Sequence, residues 1–149
     1  MNKSAVKIRL MQTDDFAAVT RIDEKVLQAA RPEYYTLKFE ELVQSTERLP
    51  TSLVAETEDG TVVGFIMGEL FIGEYGISQE ATLDTIGVDP DYQHQGVGKQ
   101  LLKEYMDHLK ALGTRKISTL VDSNDSRMMH FFRSNQFGPS HTINLERTL

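Results

Sequence analysis

The sequence contains no cysteine, so no disulfide can staple it and no thiol can act as nucleophile or carry an acyl group. An apolar signal core is missing from Met1-Asn2-Lys3-Ser4, and together these absences predict a reducing, cytoplasmic setting without a secretory leader. Long apolar runs are also missing. Stretches such as Val62 to Met67 fall far short of the ~20 residues a membrane-spanning helix needs, which excludes a transmembrane role. Positive charge is scarce: 16 Lys and Arg stand against 22 Asp and Glu, giving a formal net charge of −6 and a sequence pI of about 5.2. That sign argues against tracking a phosphate backbone, so no nucleic-acid partner is expected, and basic or amine-bearing partners fit better. No repeat, linker or low-complexity segment interrupts the chain. The 149 residues therefore predict one domain, 1–149, around one core.

Two periodicities organise what is present. Ile8-Arg9-Leu10 alternates, and Thr13-Asp14-Asp15 supplies the short oxygen-bearing side chains and negative charge that suit a helix start. Phe16, Val19, Ile22 and Val26 recur at three- and four-residue spacing, predicting a first helix that Arg31-Pro32 breaks. Tyr34 to Glu47 reads as a second helix with Tyr35, Phe39, Leu42 and Val43 inward, closed by Leu49-Pro50. Ser52 to Glu56 and Val62 to Phe71 flank Asp59-Gly60, a tight-turn dipeptide, and predict two antiparallel strands. A third strand runs from Ala81 to Val88 and stops at Asp89-Pro90, because proline lacks a ladder donor. Beyond it, Val97, Leu101, Tyr105, Met106, Leu109 and Leu112 share one helical face, with Gly113 as C-terminal cap. Lys116 to Val121 is another strand, Ser123 to Ser126 offer N-caps for a helix to about Ser134, and a last strand is expected over Thr142 to Arg147. The order βα(α)βββαβαβ predicts a mixed α/β fold.

Chemistry concentrates in the segment from Val88 to Leu102, which reads as strand, loop and helix. Gly96 and Gly98 at the helix mouth let an anion approach backbone N–H groups that have no intrahelical partner. The helix dipole adds attraction, Lys99 and His94 add charge, and a pyrophosphate suits the geometry better than a lone carboxylate. On their own, the two glycines favour the plainer role of a tight turn with close helix packing over a phosphate site. Two familiar phosphate loops are excluded. The nucleoside-triphosphate loop fails because Gln100 follows Lys99 and Gln93 stands where its first glycine belongs; the dinucleotide fingerprint fails because Leu101 replaces its third glycine and a hairpin lies upstream.

Gln93-x-x-Gly96-x-Gly98 resembles the Gln/Arg-x-x-Gly-x-Gly/Ala signature of the GNAT superfamily of N-acetyltransferases. The likeness covers nearly the whole chain: the strand Leu83 to Pro90, the amphipathic helix after the loop, and Asn124 ahead of Phe131, Phe132 and Phe137. The resemblance implies a GNAT-like fold of class α/β (α+β mixed sheet), with a central, mostly antiparallel sheet flanked by helices. It also implies N-acetyltransferase activity with acetyl-coenzyme A as co-substrate. The pyrophosphate would lie on the amides of Gln93, His94, Gln95, Gly96, Val97, Gly98 and Lys99. The pantetheine would pair with the backbone of Ile86, Gly87 and Val88, and Asn124 would touch that arm. Gly87 agrees independently, since glycine inside a strand marks a bulge or a close backbone approach.

An amine acceptor must lose a proton, yet a lysine-like amine of pKa ~10.4 is only about one part in 10³ deprotonated near neutrality. Asp84 is the first choice of base, because it lies on the cofactor strand four residues before Val88 and, at period two, on the same face; Glu80 and Glu69 follow. Similar enzymes stabilise the oxyanion with a strand N–H, here that of Val88. Many family members place a tyrosine general acid ahead of a Gly-Phe pair. With Phe137 as that phenylalanine, Phe132 stands at the tyrosine position and Gln136 at the glycine, so no general acid is assigned. Tyr92 and Tyr105 are the available substitutes, Tyr105 being turned inward by its spacing from Leu101 and Leu109.

Without a cysteine to carry the acetyl group, transfer is direct, in a ternary complex. The acceptor is a primary amine on a small molecule, a peptide N-terminus or a protein lysine, selected by the early helices and the segment Ile72 to Gln79. The competing reading is a non-catalytic acetyl-coenzyme A sensor or interaction module of the same fold. His130 and His141 lack partners at metal-ligand spacing, so no metal is expected. Asp14, Asp15, Asp23, Glu24, Glu33, Glu40 and Glu41 read as a solvated acidic face, with an amine-attracting rim as the alternative. An exposed C-terminal strand would offer an edge for a homodimer.

Overall fold

The computed structural model describes residues 5–46, 48–72 and 79–149; Met1 to Ser4, Glu47 and residues 73–78 of the segment assigned to acceptor choice lie outside the described residues. Two units result, one ending at Thr119 and one running from Leu120 to Leu149. Among the described residues no helix is long and apolar enough to cross a membrane.

The first unit is a five-stranded sheet in the order β1 (Val6–Leu10), β2 (Leu53–Thr57), β3 (Val62–Ile72), β4 (Gln79–Val88), β5 (Lys116–Thr119). Its first four strands pair antiparallel, as the hairpin signal at Asp59-Gly60 predicts, and β5 joins β4 in parallel. Helices α1 (Phe16–Leu27) and α2 (Pro32–Leu42) precede β2, and α3 (Val97–Ala111) links β4 to β5. The expected break at Arg31-Pro32 is corrected: α1 ends at Gln28 in a left-handed turn, φ 58°, and Pro32 opens α2 instead, where its missing N–H costs nothing. Helix α2 also stops at Leu42, because the Gln44 N–H turns back to the Phe39 carbonyl at 2.8 Å. Of the predicted first stripe, Val19 and Ile22 are fully buried while Val26 is 39% exposed.

Alternation along β3 assigns the helices to opposite faces. A Cβ on Gly64 would meet Leu101 and Val97 of α3, whereas the ring of the next residue, Phe65, packs edge-on against Tyr35 of α2 with centroids 5.8 Å apart. Met11, Val19, Ile22, Tyr35, Phe39 and Phe65 belong to one core cluster, and Val97, Leu101, Leu102, Tyr105 and Leu109 are the buried residues of α3. A Cβ on Gly87 would come within 2.7 Å of the Phe65 ring, so the close approach expected at this glycine is made by its own cross-strand neighbour. At Gly68 a Cβ would overlap the Tyr105 hydroxyl, which donates to the Thr82 carbonyl at 2.7 Å. The β3–β4 ladder slips here: Met67 pairs with Thr85 and Gly68 with Leu83, leaving Asp84 as an extra, bulged residue.

The second unit contains α4 (Ser126–Ser134), capped by the Asp125 carboxylate, which accepts from the Met128 N–H at 3.1 Å. Phe132 packs its ring 5.2 Å from Phe131 and 5.1 Å from Phe137. Gln136 follows in the left-handed region, φ 69°, a backbone conformation that favours glycine. The last strand expected over Thr142 to Arg147 does not form; Ile143 and Leu145 stay 81% and 84% exposed, and alternation without a ladder partner yields no strand.

Two members of the expected solvated acidic face are buried instead. Asp15 and Asp23 are each 6% exposed, and each is gripped bidentately by an arginine. Arg9 donates to Asp15 at 2.8 and 2.9 Å, and Arg31 to Asp23 at 2.8 and 2.9 Å, while the Tyr35 hydroxyl adds a third donor to Asp23 at 2.7 Å. Burial alone would raise the Asp15 carboxyl, but the Arg9 guanidinium and the Gln12 N–H hold it below its ordinary value. A lowered folded value stabilises the protein above the unfolded carboxylate pKa of about 3.9 and is lost as pH falls through the folded value. Urea unfolding between pH 6 and pH 2 should therefore show a steep acid loss that is smaller in Asp15→Asn, whose stability near neutrality should already be lower by roughly 3 kcal/mol.

Candidate functional site

Pairing between β4 and β5 covers Glu80 to Leu83 and goes no further. The Thr119 hydroxyl marks that end by donating to the Leu83 carbonyl at 2.8 Å. Beyond it, β4 continues to Val88 with β3 on one side. The Asp89 N–H donates to Val63 of β3 at 2.8 Å, and successive strand residues alternate edges, so Val88 and Ile86 direct their backbone groups to the opposite edge. The Gln93 side chain reaches back to this stretch and donates to the Val88 carbonyl at 3.2 Å, tying the loop to the strand end.

The loop then enters α3 through strained backbone. His94 lies at φ 62° and Gly96, the N-cap, at φ 85°. A non-glycine residue held there costs about 1–2 kcal/mol, so His94 carries strain the loop must offset. The first intrahelical bond is Gln100 N–H to the Gly96 carbonyl at 3.0 Å, and Gly96 has no side chain with which to cap the N–H groups of Val97, Gly98 and Lys99. His94 and Lys99 are exposed, Gln95 and Gly98 half-buried, and Val97 is buried under the sheet face. The structure thus gathers the residues from Ile86 to Lys99 at one end of the first unit. Asn124 lies in the second unit, exposed, in the turn ahead of α4, where its N–H donates to the Asp122 carboxylate at 2.8 Å.

Asp84 requires a correction. The bulge breaks period two: Val88 pairs with Gly64, on the α3 face, whereas Asp84 reaches α2, its Oδ2 accepting from Lys38 Nζ at 2.8 Å and its Oδ1 from the Thr82 hydroxyl at 3.0 Å. Four residues of strand also separate Asp84 from Val88 by roughly 13 Å, too far for both to address one carbon. The other candidate carboxylates are paired as well, Glu80 with Lys116 at 2.9 Å and Glu69 with Arg48. Tyr105 is fully buried; burial and the nearby Asp84 charge push its hydroxyl well above the ordinary tyrosine value, which makes it a poor proton donor. Among the described residues no group of three His, Asp or Glu side chains could hold a metal ion.

Sequence reasoning missed several contacts that hold the elements around the site. Lys25 of α1 grips the buried Asp89 at 3.1 and 3.2 Å, and Asp89 accepts from the Asp91 N–H at 3.0 Å, fixing the loop's first turn. Lys38 covers Asp84. Arg31 lies over the Tyr34 ring, 4.4 Å from its centroid, and Lys38 Nζ lies 5.6 Å from the same ring. The two ion pairs, Lys38 with Asp84 and Lys25 with Asp89, join residues 46 and 64 positions apart, and no local signal announces them.

A family model described as acetyltransferase (GNAT) matches residues 16–137. A mycothiol acetyltransferase from Propionibacterium freudenreichii subsp. shermanii is 32% identical over 80 residues, covering 54% of this chain and 25% of that protein. A ribosomal protein bS18-alanine N-acetyltransferase from Escherichia coli K12 is 31% identical over 78 residues, covering 52% of this chain and 49% of its own. The chain therefore spans between a quarter and about half of the length of these curated relatives. Among solved structures, an aminoglycoside N-acetyltransferase in complex with CoA superposes with a TM-score of 0.78 at 18% identity, covering 99% of this chain and 97% of that one. The ribosomal-protein-S18-alanine N-acetyltransferase of Escherichia coli gives 0.74 at 23% identity, with 91% and 79% covered. At such identities the likeness is one of fold.

If Asp89 anchors the loop as described, Asp89→Ala should lower folding stability by roughly 1–2 kcal/mol, the range of a lost cap. Hydrogen exchange should accelerate at the Asp91 amide; protection unchanged there would show that the anchor lies elsewhere.

Proposed function

The chain belongs to the acetyltransferase (GNAT) family, and from that premise we propose that it transfers an acetyl group from acetyl-coenzyme A to a primary amine by direct attack in a ternary complex. The observation that carries the reading is the conjunction of two backbone features at one end of the first unit, the N–H groups of a strand edge and those of a helix mouth. One is the β4 edge beyond Leu83; the other is the helix mouth from Gly96 to Lys99. The donor's chemistry fits both. A pyrophosphate suits N–H groups that precede the first helical bond, with His94 and Lys99 exposed beside them. An amide-bearing pantetheine suits a strand edge, and Asn124 is assigned to the same arm.

When bound, acetyl-coenzyme A supplies an activated thioester. The N–H groups of Val88 and Ile86 share the edge that would receive its arm; Ile86, closer to Asp84 by about 7 Å of strand, takes the oxyanion while Val88 pairs with the arm. Asp84 accepts the acceptor's proton, with Lys38 as its resident partner. No side chain is assigned as general acid, since a thiolate leaving group of pKa ~8.5 departs without obligatory protonation. Primary amines are the acceptor class; the relatives named above are designated for mycothiol, an alanine of a ribosomal protein and aminoglycosides. We read the two units as one catalytic domain, because the family match crosses Thr119. The lack of cysteine suits the cytoplasm.

Incubation with acetyl-coenzyme A and a panel of primary amines tests the proposal. Thiol release coupled to acceptor acetylation supports it, and coenzyme binding with no turnover across the panel supports the sensor reading instead. Gly96→Val, which forces a β-branched residue into the left-handed region, should abolish coenzyme binding by calorimetry in a chain that still unfolds cooperatively. Retained affinity would reject the phosphate placement. Asp84→Asn should cut kcat/KM by about 10²-fold near neutral pH and by less in alkali, where the acceptor deprotonates unaided; an unchanged pH–rate profile removes Asp84 from the mechanism.

A further inference from the structure

The carboxylate assigned to the acceptor's proton already holds an amine of this chain. Lys38 Nζ lies 2.8 Å from Asp84 Oδ2, and the two side chains are only 22% and 18% exposed. The Tyr34 ring faces the same ammonium at 5.6 Å, so the cation sits between a carboxylate and an aromatic face, the surroundings an incoming acceptor ammonium would need. Burial alone would lower the Lys38 pKa, but contact with Asp84 lifts it above the ordinary lysine value. Asp84 is the bulged residue at which β4 leaves its β5 partner, so the Lys38 amine stands where the open edge begins.

We infer that Lys38 is an internal acetyl acceptor, modified by the protein itself when acetyl-coenzyme A is bound and no competing amine is present. The inference rests on the function proposed above. In the step, Asp84 takes a proton from the Lys38 ammonium and the Nζ lone pair attacks the thioester carbonyl carbon. A C–N bond forms, the C–S bond breaks, and coenzyme A leaves as a thiolate that takes up the proton held by Asp84, which then accepts the second proton of the adduct nitrogen and passes it to water. The product is a neutral amide on Lys38. It can no longer form an ion pair with Asp84, which is then released to an external ammonium.

Chemical acetylation predicts the opposite pattern, because it favours exposed lysines such as Lys7 and Lys110 over one that is half-buried and paired. The full chain incubated with acetyl-coenzyme A and no acceptor should gain acetyl on Lys38 roughly tenfold faster than on Lys7 or Lys110 by peptide mass mapping. Excess coenzyme A should suppress the modification at Lys38 alone. Acetyl phosphate, which carries no coenzyme, should label Lys7 and Lys110 and spare Lys38. Equal labelling of Lys38 by both reagents overturns the inference. So does an unmodified Lys38 in a chain that acetylates any amine of the panel, an outcome that leaves the proposed function intact. Failure to bind acetyl-coenzyme A at all overturns both.

Discussion

Backbone hydrogen bonding along β4 is the constraint from which the rest of the site follows. As far as Leu83 the strand has neighbours on both edges; past that point β5 has ended, and the groups of Ile86 and Val88 are directed to an edge with which no strand pairs among the described residues. The Val88 carbonyl accepts from Gln93, and the N–H groups of Ile86 and Val88 are what the proposed coenzyme arm would pair with. The place where pairing ends is fixed from two sides, by the Thr119 hydroxyl on the Leu83 carbonyl and by the bulge at Asp84. A carboxylate thereby meets the open edge at its start, and a helix mouth meets it at its finish.

Charge pairs hold this arrangement from the α1 and α2 side. Asp15, Asp23 and Asp89 are nearly out of water, and each is matched by a cation: Arg9, Arg31 and Lys25 respectively. Desolvated pairs add little net stability compared with apolar packing, but breaking one leaves an uncompensated charge, so they penalise misplacement of the elements they join. Arg9 thus fixes the start of α1 against β1, Arg31 closes the α1–α2 corner, and Lys25 ties α1 to the turn before the loop. Lys38 extends the same device to the candidate base, where a pair that can exchange partners has chemical as well as structural consequences.

Periodicity made most of the fold legible. Leu101, Tyr105 and Leu109 reveal α3 because one helical stripe is buried, and Asp59-Gly60 reveals the β2–β3 turn because few residues tolerate its backbone. The loop was legible for the same local reason, with Gly96 left-handed and Gln93 pinned to Val88. The bulge was not legible. One extra residue in a strand leaves no compositional mark, yet it moved Asp84 to the face opposite Val88. Pairings across the chain, Lys38 with Asp84 and Lys25 with Asp89, were hidden because ion pairs are set by tertiary proximity alone. Thr142 to Arg147 shows the converse: its alternation was real, but a strand exists only where another strand accepts its hydrogen bonds.

The Tyr105 hydroxyl occupies the space that a side chain at position 68 would need, and it is held there by the Thr82 carbonyl. The two sites are therefore locked in evolutionary step. A lineage that enlarges residue 68 must displace the Thr82 carbonyl as well as the phenol at 105, and one that loses the phenol removes that carbonyl's donor at the rim of the bulge, so change at either position is felt at the other.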